Sequence, residues 1–167
     1  MPRLDRFIDG QNAPHAGYES ALREIRTDRK RGHWIWYVFP QLAGLGVSGA
    51  SQIYGIDGFG EAVEYLRNSV LRDRLLTITT AVAERLNAGT SLRALMSSSI
   101  DTLKVVSSLT LFNAAARHLY DSEGDQANAS LARVAHEVLN AAESQGYPPC
   151  RYTLARLGQR GQRQATS

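Results

Sequence analysis

Residues 29–46 combine fixed positive charges, aromatic rings and a glycine-rich turn in the run Arg-Lys-Arg-Gly-His-Trp-Ile-Trp-Tyr-Val-Phe-Pro-Gln-Leu-Ala-Gly-Leu-Gly. Aromatic residues are only 8% of the chain, yet both tryptophans, Trp34 and Trp36, fall here. An aromatic ring can stack on a flat base while a neighbouring Arg or Lys neutralises phosphate. The run therefore indicates a site for a flat, anionic ligand. The alternative is a buried aromatic anchor beside a basic turn in solvent.

Two further residues have side chains that could meet a phosphate. His33 lies inside the basic and aromatic run, where its imidazole could donate to phosphate or act as an acid; a packing role would use the same position. Lys104 lies one turn into a predicted helix with Ser107 nearby, and a helix N-terminus can hold an anion through backbone amides and charge. The alternative for Lys104 is an ion pair with Asp101 at helical spacing.

Glu61 is the candidate acid for chemistry at a glycosidic bond, which needs a carboxyl group near the reacting carbon. The alternative is a solvated acid on a helix face. The histidines other than His33 share no metal-ligand spacing, so we expect neither a metal nor a cofactor.

Length and composition fit one domain with a substantial core, at 167 residues and 43% hydrophobic content. The net charge of +3, from 19 Lys plus Arg against 16 Asp plus Glu, argues against a protein that coats nucleic acid. The single cysteine, Cys150, excludes an internal disulfide and is interpreted as a structural or incidental thiol. The N-terminal residues lack the apolar stretch of a signal peptide, and no apolar run approaches the ~18 residues of a membrane span. We therefore expect a cytoplasmic protein.

Apolar residues recur at helical spacing through most of the chain, without alternation of strand and helix. The strand-like run over 34–39 has no ladder partner, so we expect an extended or helical connector there. From Gly158 onward the chain has no apolar anchor. The sequence therefore predicts an all-α single compact domain over 1–158, with about six to eight helices, and a disordered tail over 159–167. The predicted helices lie at 5–11, from 18 to near 32, 69–87, from 101, from 125 or 128 to 146, and 152–157.

Several motifs carry a family resemblance. The run over 29–46 is followed by Ser-Gln-x-Tyr-Gly-Ile at 51–56, by Glu-Ala at 61–62 with Tyr-Leu at 65–66, and by Asp-x-Leu-Lys-x-x-Ser-Ser-x-Thr-Leu-Phe at 101–112. This pattern resembles an uncharacterised bacterial family, DUF1810, over nearly the whole chain. At 146–154, where that family tends to have Gly-x-x-Asp-x-x-Thr-Leu, the acid is missing here.

The DUF1810 family is similar in outline to the YbiA-like group, which includes the NADAR domains. Those domains are all-helical and are associated with N-glycosidic bonds of riboflavin intermediates and ADP-ribose adducts. The resemblance implies a helical, YbiA-like fold and a pocket for a phosphorylated ribosyl compound. It assigns no catalytic residue, because the group's Trp-Pro-x-x-Glu signature has no match in this sequence.

The leading hypothesis is a helical protein that binds a small anionic ligand of the nucleotide or ADP-ribose type, with N-glycosidic hydrolysis as an open further step. A protein-interaction module that uses the aromatic residues and nucleic-acid binding through the basic residues of 23–31 are the two alternatives. The sequence predicts no oligomeric state. The candidate catalytic residues are Glu61 and His33. The candidate ligand-binding residues are Arg31, Trp34, Trp36, Phe39, Gln41, Tyr54, Lys104 and Ser107.

Overall fold

Helices account for the regular structure of the computed structural model, which describes residues 3–165. In chain order the helices are α1 (Asp5–Gln11), α2 (Tyr18–Thr27), α3 (Ile35–Val38), α4 (Gly49–Tyr54), α5 (Gly58–Arg67), α6 (Ser69–Asn87), α7 (Leu92–Met96), α8 (Ser99–Glu123), α9 (Gln126–Ser144) and α10 (Arg151–Ala165). The predicted all-α class and single compact domain are confirmed.

The part of the chain described has ten helices, where the sequence predicted six to eight. Four helices lie outside the predicted ranges: α5 with ten residues, and α3, α4 and α7 with only four to six residues each. A single helical turn is too short for a repeating apolar stripe, so its periodicity cannot be read from sequence. The strand-like run over 34–39 contains α3, which is the helical form of the predicted connector.

Helix α8 is the centre of the molecule. Its 25 residues bury apolar side chains on nearly every side, which is the pattern of a helix surrounded by other helices. It packs against α9, α5, α7, α10 and α3, and α6 packs on α9 and α2. The Ser98 hydroxyl caps α8 by accepting the backbone N–H of Asp101 at 3.1 Å. This cap fixes the first turn of α8, and Lys104 lies in the next turn.

The last helix, α10, begins at Arg151, one residue beyond Pro148 and Pro149, where the sequence predicts a break. It continues to Ala165, so the predicted disordered tail over 159–167 begins within this helix. Residues 166 and 167 lie outside the described part. Between residues 3 and 165, no helix has the length and apolar character that crossing a bilayer requires.

Candidate functional site

Both lysines of the chain bind one carboxylate. The Nζ atom of Lys30 lies 2.9 Å from Oδ2 of Asp101, and that of Lys104 lies 3.7 Å from Oδ1. Lys30 also donates to the backbone carbonyl of Gly32 at 2.6 Å, and its side chain is buried. These contacts attach the basic segment to the first turn of α8, and they place two positive charges against a single negative one.

Each of these lysines also lies over one of the two indole rings. Lys30 Nζ is 5.1 Å from the ring centroid of Trp34, and Lys104 Nζ is 4.9 Å from that of Trp36. Cation–π contacts at this range are attractive and restrict the position of the ammonium group. The charge of Lys104 is therefore held beside the aromatic face of Trp36. The sequence predicts such a pairing of a cation with an aromatic ring, but within residues 29–46.

Trp34 is an anchor in the core rather than a wall of a cleft. Its side chain is 0% exposed, and its indole N–H donates to Glu24 at 3.1 Å. The same Glu24 oxygen accepts the backbone N–H groups of Arg31 at 2.6 Å and Gly32 at 2.8 Å. Burial raises the pKa of Glu24, whereas these hydrogen bonds lower it. Their combined effect exceeds that of burial, so the pKa lies below its ordinary value. For Trp34 the alternative of a buried aromatic anchor is therefore the one that the structure displays.

Trp36, in contrast, is only partly buried and lines a small cavity. The volume of about 10 Å³ is close to the minimum for one water molecule. The indole N–H of Trp36 is buried there without a hydrogen-bonding partner in the structure. Such donors are normally paired, so this N–H is available to a water or a ligand atom. The residues lining this cavity are Ile35, Trp36, Phe39, Gln41, Ser51, Tyr54, Gly55 and Lys104.

A larger cleft adjoins this cavity and shares Gln41 and Lys104 with it; we call it the Lys104 cleft. Its volume of about 410 Å³ is in the range of small-molecule sites. Helix α8 supplies one wall, and the start of α10 with the preceding prolines supplies another. The residues lining the Lys104 cleft are Gln41, Leu45, Ile100, Leu103, Lys104, Val106, Ser107, Pro148, Pro149, Cys150 and Arg151.

Backbone pairing positions the loop that carries Gln41. The carbonyl of Gln41 accepts the N–H of Ile56 at 2.9 Å, and Ala43 N–H donates to the carbonyl of Ile56 at 2.9 Å. These bonds form an isolated parallel bridge. The loop is also tied to α10, because the Tyr152 hydroxyl donates to the carbonyl of Ala43 at 3.0 Å. This hydrogen bond attaches the loop that carries Gln41 to the first turn of the last helix.

Cys150 lies at the N-terminus of α10, on the wall of the Lys104 cleft. Burial raises the pKa of its thiol, but the neighbouring hydroxyl and N–H of Thr153, the hydroxyl of Ser107 and the N–H of Tyr152 are donors that favour the thiolate and lower the pKa. The result is a pKa below the ordinary value of a thiol. The sequence interpretation as an incidental thiol missed this environment. A Pro-Pro pair followed by a helical run marks a helix start, and this signal could have identified Cys150 as the capping residue.

Glu61 does not line the Lys104 cleft. Its carboxylate lies 2.5 Å from the guanidinium of Arg6 and accepts the backbone N–H of Asp57 at 3.2 Å. Arg6 also donates to the carbonyls of Ile53 and Gly55, at 2.9 and 3.0 Å. Glu61 and Arg6 line a separate hollow of about 270 Å³. These contacts join α1 to the start of α5, which is a structural role.

Arg31 and His33 are exposed and lie outside the residues that line either cavity beside Lys104. The Arg31 guanidinium pairs with Asp28, one turn earlier in the chain. The structure thus gathers Trp36, Phe39, Gln41, Tyr54, Lys104 and Ser107 along two adjoining cavities, and it separates Arg31, His33, Trp34 and Glu61 from them. Arg151 joins the first set without having been predicted.

A third hollow, of about 600 Å³, lies between α8, α9 and α10 and shares Pro149 with the Lys104 cleft. Its polar lining includes Arg117, His118, His136 and Asn140. His118 packs edge-on against the ring of Phe59, and His136 contacts the amide of Asn140. Among residues 3–165 no group of three or more His, Cys, Asp or Glu side chains is arranged to hold a metal ion.

Comparison with known proteins places the chain in a family. The family model described as "Protein of unknown function (DUF1810)" matches residues 2–137. The crystal structure of the conserved hypothetical protein Rv1873 from Mycobacterium tuberculosis is 34% identical, with a TM-score of 0.71, and the match covers 92% of this chain and 95% of that one. No curated protein matches the chain. The chain therefore belongs to the DUF1810 family of proteins of unknown function.

Proposed function

We propose that this protein binds a small anionic ligand of the nucleotide or ADP-ribose type in the Lys104 cleft. The observation that carries the proposal is the position of Lys104, which contacts Trp36 on one side and Asp101 on the other and lines both adjoining cavities. A phosphate bound by Lys104 in the cleft would lie beside the small cavity that Trp36 lines.

The charge balance around the cleft favours an anion. Asp101 is shared by Lys30 and Lys104, so one positive charge in this group is not neutralised. Arg151 adds a second positive charge at the cleft wall, and none of the described residues that line the cleft is acidic. Both cations are available to charge-assisted hydrogen bonds with phosphate oxygens.

The remaining lining suits an apolar or flat portion of a ligand. Leu45, Val106 and the prolines at 148–149 line the cleft, and Ile100 and Leu103 at its rim are exposed to solvent. Ligand sites are commonly apolar with a few polar groups that fix orientation, and Gln41 supplies an amide for this purpose. The resemblance of the family to the YbiA-like group, with its NADAR domains, supports a ribosyl phosphate as the ligand class.

The proposal is confined to binding. Hydrolysis of an N-glycosidic bond needs a carboxylate near the reacting carbon. Glu61 is instead engaged with Arg6 in a separate hollow, and the described lining of the Lys104 cleft has no carboxylate. Glu61 therefore has no part in the proposed function.

The two alternative functions have less support. Nucleic-acid binding would use the cations of the basic segment, but Lys30 is buried against Asp101 and Arg31 is paired with Asp28. Arg23, Arg26 and Arg29 are exposed, on a chain whose net charge is only +3. A protein-docking surface built from the aromatic residues would need them to be exposed, whereas Trp34 and Phe39 are buried.

Isothermal titration calorimetry with ADP-ribose, AMP and unphosphorylated adenosine tests the proposal. We expect the phosphorylated ligands to bind, and Lys104→Met to weaken them by about tenfold or more, because a hydrogen bond to a charged group contributes about 1.5–3 kcal/mol. The matched control is Arg133→Ala, which removes an exposed cation that pairs with Glu137 on the outer face of α9. Absence of heat for all three ligands at millimolar concentration would refute the proposed ligand class.

A further inference from the structure

We propose that Cys150 is a modification site that forms a mixed disulfide with small anionic disulfides entering the Lys104 cleft. This inference concerns the thiol itself and does not depend on the ligand of the proposed function. It rests on three features of the structure: the capping position of Cys150, two unpartnered buried hydroxyls beside its sulfur, and the positive charge of the cleft.

Cys150 occupies the N-cap of a long helix. Its carbonyl accepts the N–H of Leu154 at 3.0 Å, which is the first hydrogen bond of α10, and its own N–H donates to the Thr110 hydroxyl at 3.2 Å. The side chain of an N-cap residue faces the free N–H groups of the first helical turn. A thiolate at this position is stabilised by these groups and by the helix dipole, and the thiolate is the reactive form of cysteine.

Two buried hydroxyls supply the second, independent observation. Ser107 is 3% exposed and Thr153 is 0% exposed, and neither hydroxyl has a hydrogen-bonding partner in the structure. Both lie near enough to the Cys150 thiol to lower its pKa, and Ser107 also lines the cleft. A buried hydroxyl without an acceptor is costly. A thiolate would accept from both hydroxyls, and a neutral thiol is a much weaker acceptor.

The positive charge of the cleft wall favours disulfides that carry negative charge. The charged groups at the cleft wall around Cys150 are Lys104 and Arg151, with Asp101 held by Lys104 on the side of α8. No acidic residue is present in the described lining. A disulfide that bears carboxylates would be attracted to these two cations, and a disulfide that bears ammonium groups would be repelled.

The reaction is a thiol–disulfide exchange. The Cys150 thiolate attacks one sulfur of the small disulfide, so the new Sγ–S bond forms as the original S–S bond breaks, and the departing thiolate takes a proton from solvent. The sequence contains one cysteine, so no second thiol of the same chain can resolve the product. The adduct would therefore persist until an external thiol attacks it, and it would occupy the cleft meanwhile.

Intact-mass spectrometry of the whole protein tests this inference, with glutathione disulfide as the anionic probe and cystamine as the cationic probe. At neutral pH and low salt, we expect one glutathionyl group to add to the folded chain several-fold faster than to the same chain unfolded in urea. Cystamine should react more slowly than glutathione disulfide, and Arg151→Ala should reduce this difference. Peptide mapping should locate the adduct at Cys150. A folded chain that reacts no faster than the unfolded one would overturn the inference.

Ser107→Ala separates the proposed activation from mere exposure of the thiol. It should slow the exchange several-fold and move the pH–rate midpoint upward, because it removes one donor to the thiolate. Ser122→Ala, which removes an exposed hydroxyl near the end of α8, should change neither quantity. An unchanged rate and midpoint in Ser107→Ala, with circular dichroism showing an intact fold, would contradict the role given to the hydroxyls. Because the readout is a mass increase, failure of nucleotides to bind leaves this test unaffected.

Discussion

The ammonium group of Lys30 lies 2.9 Å from the carboxylate of Asp101, and only 7% of the lysine side chain is exposed. A cation buried to this extent needs its counterion, and removing one partner of a buried pair costs about 3–5 kcal/mol. Asp101→Asn should therefore lower the free energy of unfolding by about 2 kcal/mol, the smaller figure because Asp101 is itself partly exposed. Urea unfolding followed by circular dichroism measures this change. Glu137→Gln, which breaks the exposed pair with Arg133, should change it by less than about 0.5 kcal/mol.

The two tryptophans should respond differently to the same substitution. Trp34→Phe removes the hydrogen bond to Glu24 and leaves a void in the core, so we expect a loss of about 2–3 kcal/mol in the free energy of unfolding. Trp36→Phe removes an indole N–H that has no partner and empties space next to an existing cavity, so the loss should be under about 1 kcal/mol. Thermal and urea unfolding of both variants gives the comparison, and equal losses would contradict the distinct environments of the two rings.

This difference between Trp34 and Trp36 also indicates how far the sequence could predict the site. The long helices were readable because α6 and α9 repeat their apolar residues over several turns. The run over 29–46 includes Trp36, Phe39 and Gln41, which line the two cavities. A helix of one turn has no apolar stripe, however, so the sequence could not show that Trp34, at the N-cap of α3, is buried while Trp36 is only partly buried. The pairing of Lys30 with Asp101 joins segments far apart in the chain, so only the tertiary structure could reveal it.

Glu61→Gln distinguishes a structural carboxylate from a catalytic one. Glu61 and Arg6 are both largely buried, so the substitution should lower the free energy of unfolding by about 2 kcal/mol. Because Glu61 lies outside the Lys104 cleft, the affinity for phosphorylated ligands measured by calorimetry should stay within about twofold of the parent protein. A loss of affinity with unchanged stability would show that the carboxylate acts on the ligand.

Glu24 should give the protein part of its sensitivity to acid. Burial raises the pKa of Glu24 and hydrogen bonds from Gly32, Arg31 and Trp34 lower it, with a net decrease from the ordinary value of 4.5. A folded-state pKa below the unfolded-state pKa contributes stability that is fully present above about pH 5 and is lost as the pH falls through the folded-state value. In Glu24→Gln this contribution is absent, so the free energy of unfolding should fall less between pH 7 and pH 3 than in the parent protein. Urea midpoints at several pH values measure the difference, and parallel profiles would contradict it.

Gly44 and Tyr152 should be energetically coupled. Gly44 has a φ of +95°, and a Cβ atom built on it would lie 2.4 Å from the Tyr152 hydroxyl and 3.3 Å from the ring carbon that bears it. Gly44→Ala therefore combines about 1 kcal/mol or more of backbone strain with a clash that displaces the Tyr152 hydroxyl from its hydrogen bond to Ala43. We expect a loss of about 2–3 kcal/mol in the free energy of unfolding, of which the clash contributes about 1–2 kcal/mol. Tyr152→Phe removes the hydroxyl, so the cost of Gly44→Ala should be smaller in that background by about 1 kcal/mol. A double-mutant cycle from urea unfolding measures the coupling, and strictly additive costs would mean that residue 44 does not contact the Tyr152 hydroxyl.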